Sequence, residues 1–217
     1  MAIIRQELAD LREDYIKGSL DDKDVLDDPI QQFATWLDEA LRAEVLEPTA
    51  MVLSTVDEQQ MPKSRVVLLK DIKPEGFSFF TNYDSAKGRD MGNHPYVSLL
   101  FFWPELQRQV RIVGRVEKLA AQESDHYFQS RPRGSQIGAI ASPQSAKIPN
   151  RSFLEERVAQ IEAKYVDDTA IPRPLHWGGY LVRPTEMEFW QGRASRLHDR
   201  IVYTSDRQAW RKQRLAP

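Results

Sequence analysis

Residues 189–200 carry the densest chemistry in this sequence. Phe189-Trp190-Gln191-Gly192 is followed by Arg196-Leu197-His198-Asp199-Arg200, which gathers an indole, two guanidiniums, an imidazole and a carboxylate. An extended chain here would turn Arg196, His198 and Arg200 to one side and Leu197 and Asp199 to the other. Two fixed cations around a titratable ring suit an anionic, planar, heteroaromatic ligand, because a guanidinium grips oxygens with its fork and also stacks on rings. A solvated edge strand whose arginines pair with nearby carboxylates would show the same pattern, and the residues leave both readings open.

Three further stretches could hold anions. Arg65-Val66-Val67-Leu68-Leu69-Lys70 reads as a buried strand with a cation at each end. Positions 65 and 70 differ in parity, so the two charges face opposite sides. Phe79-Phe80-Thr81-Asn82 runs into Ser85-Ala86-Lys87, a strand ending in hydroxyl, amide and ammonium donors: a phosphate grip or an ordinary polar turn. In Tyr127-Phe128-Gln129-Ser130-Arg131-Pro132-Arg133-Gly134-Ser135, Tyr127 and Arg131 share a helix face at i, i+4, while Pro132 and Gly134 force a turn. That turn collects a phenol, guanidiniums and the Ser135 hydroxyl, a set suited to a phosphate dianion. Two phosphate grips beside an Arg/His/Arg segment suggest two phosphorylated ligands side by side, one of them a cofactor.

Other chemistries are missing. There is no Gly-x-Gly-x-x-Gly fingerprint, no P-loop and no Gly-x-Ser-x-Gly elbow. His94, His126, His176 and His198 lack metal-ligand spacing, so no metal is expected. The chain has no cysteine, which excludes disulfides and a thiol nucleophile and fits a reducing, cytoplasmic setting. A net charge of -2 provides no field for nucleic acid or anionic membrane. The longest apolar run, Val97 to Trp103 broken by Ser98, is too short to span a bilayer.

The elements that must position these groups read as mainly β with flanking helices. Residues 1–28 are highly charged and read as a mobile arm with some helix around Gln6 to Tyr15; residues 29–217 read as a single domain. Asp28-Pro29 is an N-cap followed by proline at the first helical position. Ile30, Phe33, Leu37, Ala40 and Leu41 then predict an amphipathic helix over 29–46, stopped by Pro48. Thr49–Val56 and Lys63–Lys70 predict a hairpin around a turn at Asp57–Gln60. Further strands are expected at Phe77–Asn82, Tyr96–Trp103, Gln109–Leu119 (bulged or bent at Gly114), Trp177–Arg183, Glu186–Gln191, Arg200–Tyr203 and Ala209–Arg211, with helices at Gln122–Ser130 and Phe153–Tyr165. Many short strands with few helices between them predict an antiparallel barrel.

The order of these motifs closely resembles the pyridoxine (pyridoxamine) 5'-phosphate oxidase family. The likeness runs from about Leu11 to Pro217. It rests on Arg65–Lys70, Phe80-Thr81-Asn82, Arg108-Gln109-Val110, Tyr127-Phe128, Ser130-Arg131-Pro132-Arg133, Ser135-Gln136-Ile137-Gly138-Ala139, Gln144-Ser145, Phe189–Gly192, Arg196–Arg200 and the terminal Arg214-Leu215-Ala216-Pro217. The resemblance implies an FMN-binding split β-barrel, a homodimer with shared active sites, and oxidation of pyridoxine or pyridoxamine 5'-phosphate to pyridoxal 5'-phosphate with oxygen reduced to hydrogen peroxide. It implies FMN contacts at Arg65, Val66, Val67, Leu68, Leu69, Lys70, Phe80, Thr81, Lys87, Gln109, Gln144, Ser145, Trp190 and Arg200. It implies substrate-phosphate contacts at Lys70, Tyr127, Arg131 and Ser135, and places Arg196 and His198 beside the substrate ring as catalytic groups. His198 would hold that ring or accept a proton. Arg12 and Tyr15 match an N-terminal segment that closes over substrate in the family. The chain departs from the family pattern in places: Ala86 stands where the best-known members carry Arg, Phe80 occupies a position that can be Tyr, the acidic run Asp21–Asp24 is basic in some relatives, and Glu47 replaces an Asp of some relatives but keeps the carboxylate. Two other functions share enough of the pattern to stay open: a split-barrel reductase using a nicotinamide or deazaflavin, and a non-catalytic pyridoxal phosphate carrier.

Overall fold

The computed structural model describes residues 15–166, 170–206 and 209–217. In chain order the elements are α1 (Pro29–Arg42), β1 (Ala50–Val56), β2 (Pro62–Leu68), β3 (Asp71–Lys73), β4 (Gly76–Asn82), α2 (Ala86–Asn93), β5 (Tyr96–Trp103), β6 (Arg108–Lys118), α3 (Ala121–Ser130), α4 (Arg133–Ala141), α5 (Ser152–Lys164), β7 (Trp177–Gln191), β8 (Asp199–Asp206) and β9 (Ala209–Leu215). The chain divides into two compact units: the described parts of residues 1–48, 100–112 and 186–217, and residues 49–99 and 113–185.

The first unit is built on α1 and β7–β9. Asp28 caps α1 by accepting from the Ile30 amide at 2.8 Å, with Pro29 behind it. The helix buries Ile30, Phe33, Trp36, Leu37 and Ala40, whereas Leu41 is 54% exposed. It ends at Arg42 rather than reaching 46, because Glu44 turns left-handed (φ 53°). Phe33 packs on Phe101, Trp36 on Phe189, and Phe189 on Tyr203. The 186–191 part of β7 pairs antiparallel with β8, and β8 with β9, which sets Trp190 opposite Arg200 and Arg200 opposite Leu215.

Residues 15–28 also belong to this unit. The Gln107 side-chain oxygen accepts from the Ile16 and Lys17 amides at 2.9 and 3.1 Å, and Asp199 accepts from the Leu20 amide at 3.0 Å. Leu20 and Val25 are buried, and the Tyr203 hydroxyl donates to the Leu26 carbonyl at 2.6 Å. The expected helix around Gln6 to Tyr15 lies outside the described residues apart from Tyr15.

In the second unit β1 and β2 form the expected hairpin, paired from Ala50 with Leu68 to Val56 with Pro62. β4 lies between β3 and the first part of β7, antiparallel to both. β7 runs unbroken from 177 to 191 where two strands were expected, although Pro184 offers no amide to a ladder. Gly114 accounts for the close passage there: a Cβ at 114 would stand 2.3 Å from the Arg183 carbonyl oxygen, so only glycine lets that backbone approach. Phe128, Ile137, Ile171 and Trp177 form a buried cluster under α3, α4 and α5. The sequence reading did not anticipate α2, β3 or α4. All three are short, and packing rather than periodicity defines them.

Candidate active site

The second unit contains a cavity of about 480 Å³. Val66, Val67, Leu68, Lys70, Phe80, Thr81, Lys87, Tyr127, Arg131, Ser135 and Gln144 all line it, so eleven of the expected ligand contacts converge there, joined by Asn82, Ser142 and Trp177. Among the described residues, three cations and no carboxylate line the cavity. Such a surface attracts anions. Val66, Val67 and Leu68 are consecutive, so the cavity meets the chain's edge rather than one face of β2. The two cations of this segment are separated, but not by strand parity or burial as expected: β2 is largely exposed and ends at Leu68, so Lys70 lies beyond it. Arg65 lines a different hollow of about 500 Å³ with Asp57, Lys63, Arg89 and Asp90.

Each cation is held differently. The Lys87 ammonium donates to Thr81 Oγ1 (3.2 Å), Ser85 Oγ (3.3 Å) and Gln144 Oε1 (3.2 Å), all neutral oxygens. Burial, reinforced by Arg65 and opposed by Asp90, pulls its pKa down. Ser85 itself caps α2 and accepts from the Gly88 amide, which aims the first turn of that helix. Arg65 donates to Thr55 Oγ1 at 2.6 Å, and Thr55 in turn donates to the buried Asp90 at 2.7 Å. Burial lowers the Arg65 pKa, and Asp90 offsets part of that.

Arg131 follows the last residue of α3, in extended backbone, and Pro132 leads into α4; the expected turn is therefore a helix–helix junction. Its Nη1 is buried and has no hydrogen-bond partner among the described residues. An orphaned buried donor of this kind costs free energy that a bound anion would recover. Burial lowers the Arg131 pKa and raises that of Tyr127, each moderated by the other. Tyr127 therefore keeps its proton and can donate.

Aromatic rings complete the wall. Phe80 stacks on Tyr127 at 3.8 Å, and both lie nearly parallel to Trp177. Leu69 is buried, and Ser145 lines a neighbouring hollow in left-handed backbone (φ 71°).

The remaining expected residues belong to the first unit. Arg196, His198 and Arg200 do not alternate along one strand face. Ala194–Arg196 is a 3-10 turn, Ser195 and Arg196 have φ of 56° and 61°, and β8 starts only at Asp199. A hydrogen bond closes this loop: the Arg193 amide donates to His198 Nδ1 at 3.1 Å. Two successive left-handed residues other than glycine are costly, and such strain concentrates where function requires it.

Arg200 follows the carboxylate-paired alternative. Its Nε donates to Glu188 at 2.7 Å and its Nη1 to the Ala216 carbonyl at 2.9 Å, and the pairing with Glu188 raises its pKa. Glu188, 4% exposed, also accepts from Arg111 at 2.7 Å. Asp199 accepts from Leu20, Arg193 and Arg214. Arg196 is exposed and forms no ion pair among the described residues.

Burial, then Arg196, lowers the His198 pKa. The ring lies 4.6 Å from Trp190, and Tyr15 packs edge-on to both. Gly192 admits Tyr15, since a Cβ there would meet the Tyr15 ring at 2.8 Å. Gln109 is half-buried on β6, and Arg12 lies outside the described residues.

The sequence reading missed Trp177, Thr55, Asp90 and Glu188 as supports of these groups. One signal for the anion site was available: residues 126–154 contain no Asp or Glu. The pairings through Asp90 and Glu188 join distant segments and leave no local trace.

Comparison with known proteins supplies the family context. The profile described as Pyridoxamine 5'-phosphate oxidase matches residues 37–165. That of the Pyridoxine 5'-phosphate oxidase C-terminal dimerisation region matches residues 177–217. A pyridoxine/pyridoxamine 5'-phosphate oxidase of Herminiimonas arsenicoxydans is 55% identical over 211 residues, covering 97% of this chain and 99% of its own. One from Salinibacter ruber is 53% identical over 213 residues, with the same coverage. Among solved structures, PhzG from Burkholderia lata, in complex with tetrahydrophenazine-1-carboxylic acid, is similar with a TM-score of 0.85 and 33% identity, over 92% of this chain and all of that one. The fold class is the antiparallel split barrel with flanking helices.

Proposed function

Because the chain belongs to the pyridoxamine 5'-phosphate oxidase family, we propose that it oxidises pyridoxine 5'-phosphate or pyridoxamine 5'-phosphate to pyridoxal 5'-phosphate, with FMN as cofactor and oxygen reduced to hydrogen peroxide. One observation carries this reading: a cavity bordered by Lys70, Lys87 and Arg131 in which, among the described residues, no carboxylate takes part and a buried guanidinium nitrogen lacks a partner. That donor set fits phosphate esters.

When bound, FMN supplies the two-electron redox chemistry. The protein supplies binding and placement. Lys87, with Thr81 and Gln144, suits the FMN phosphate, and the exposed edge at Val66–Leu68 suits the polar rim of a flavin. Lys70, Tyr127, Arg131 and Ser135 suit the substrate phosphate. Anchoring both phosphates fixes both rings in one geometry, which is a proximity effect.

In this reading Arg196, without an ion pair among the described residues and in strained backbone, grips the substrate. His198 orients rather than abstracts a proton. Its Nδ1 accepts the Arg193 amide hydrogen, so in the neutral ring Nε2 carries the proton and can only donate. The N-terminal arm serves as a lid in this reading; the packing of Tyr15 on Trp190 and His198 supports it, and residues 1–14 lie outside the described residues. The match of residues 177–217 to a dimerisation region supports a homodimer with shared active sites. The expected compartment is the cytoplasm; no described helix is long and apolar enough to cross a membrane.

The test is oxygen uptake and peroxide release by the FMN-loaded protein with each phosphorylated vitamer and no added nicotinamide. Stoichiometric peroxide and pyridoxal phosphate are expected. Binding of pyridoxal phosphate without peroxide would favour the carrier, and turnover only with a nicotinamide or deazaflavin would favour the reductase.

A further inference from the structure

We infer that Trp177 is a positioning residue of the substrate-phosphate grip, whose indole face holds the Arg131 guanidinium while leaving its N–H edge free for a phosphate dianion. The inference rests on the phosphorylated-substrate reading and deepens it. Arg131 is held unlike most other partly buried arginines, and unlike Arg157, whose Nε donates to the Ala141 carbonyl at 2.6 Å, it keeps a buried donor with no partner among the described residues. Arg65, Arg111, Arg173 and Arg200 each face a carboxylate: Asp90, Glu188, Asp125 and Glu188 again. Arg131 has no ion pair among the described residues. Its guanidinium carbon instead lies 4.6 Å from the centre of the Trp177 ring and 5.8 Å from that of Phe128.

The difference has a chemical consequence. A carboxylate would occupy the guanidinium fork and cancel its charge, leaving little for a ligand. An aromatic face attracts the cation through its quadrupole and consumes no N–H donor. The orphaned Nη1 is what this arrangement should leave behind.

Trp177 is also well placed to act as a fixed platform. It is 6% exposed, its backbone amide donates to the Pro174 carbonyl at 3.0 Å, and its carbonyl accepts from Arg173 at 2.6 Å. It pairs with Asn82 at the start of β7, and Phe80 and Tyr127 lie within 15° of its plane.

Steady-state kinetics of the FMN-loaded protein with pyridoxine 5'-phosphate test the inference. Trp177→Leu should raise KM about tenfold, as expected for loss of a desolvated cation–π contact. Turnover number and FMN affinity should hold, and Trp177→Phe should recover most of the loss. Arg131→Lys should match the leucine variant although the charge is kept, because an ammonium lacks the planar fork. Inorganic phosphate, as a competitive inhibitor, should weaken in parallel.

Trp177 also packs on Phe128, Ile137 and Ile171, so the leucine variant could fail to fold. Biosynthetic replacement of tryptophan by fluorinated tryptophans covers that case, since fluorine drains the negative face of the ring and keeps its shape. KM should then climb with each added fluorine, and the same labelling of Trp177→Phe should leave KM flat. A KM insensitive to fluorination, a phenylalanine variant no better than leucine, or a fall in turnover at constant KM would overturn the inference. If the wild-type protein oxidises neither vitamer yet its phosphate affinity follows residue 177, the functional reading fails and the grip stands.

Discussion

Replacing Lys87 by Met should stabilise the ligand-free protein and weaken its hold on FMN. Among the described residues the Lys87 ammonium bonds to neutral oxygens, those of Thr81, Ser85 and Gln144 at 3.2–3.3 Å. Burial is the main cause of its lowered pKa, so the charged form is penalised when no anion is bound. Met is of similar length and carries no charge to desolvate. The oxygens it would abandon keep other bonds: Thr81 donates to Gln144, and Ser85 donates to the Asn82 carbonyl.

The ligand-bound state reverses the balance. A charge-assisted hydrogen bond to phosphate contributes about 1.5–3 kcal/mol. Its loss corresponds to roughly a 10- to 150-fold rise in the FMN dissociation constant. Riboflavin, which lacks the phosphate, should bind as before.

The effect on stability has a defined pH dependence. The unfolded chain binds the Lys87 proton more tightly than the folded one. The penalty is therefore complete below the lowered folded pKa and disappears as pH rises toward the ordinary value of 10.5. Melting curves of the ligand-free protein across that alkaline range, with fluorescence titrations of FMN and riboflavin, measure both effects. A Met variant that melts lower than wild type at neutral pH, or that loses FMN and riboflavin alike, would refute this account of the grip.

Two other positions offer direct tests. His198 should titrate below its ordinary value of 6.5 by NMR, and Arg196→Gln should bring it only part of the way back, since burial is the larger cause. The stability held by the neutral ring is whole above 6.5 and declines as pH falls toward the lowered folded value, so an unshifted or raised pKa would remove the orienting role assigned to this ring. Gly114→Ala should cost about 1–3 kcal/mol by driving a methyl group into the Arg183 carbonyl. An unchanged melting temperature would show that β6 and β7 separate freely at that point.

Local chemistry made much of this protein legible before any coordinates. The Asp28-Pro29 start of α1, the β1–β2 hairpin and the exact span of Tyr96–Trp103 follow from capping, alternation and turn residues, which act over a few positions. The proposed anion-holding set of Lys70, Lys87, Tyr127, Arg131 and Ser135 was also visible, because its donor types are unusual and three of them fall within residues 127–135. Family likeness, not spacing, connected those scattered groups to one ligand pair. Tertiary structure alone decided how each charge is balanced. Arg196–Arg200 would alternate if extended and instead bends, because the Arg193 amide finds His198 and two residues turn left-handed. Arg200 meets a carboxylate twelve residues away across β7 and β8, whereas Arg131 lies nearest an aromatic face supplied by a strand 46 positions on. Whether a cation is quenched or left available depends on which distant group packs against it, and that is a property of three-dimensional contact that neighbouring residues do not encode.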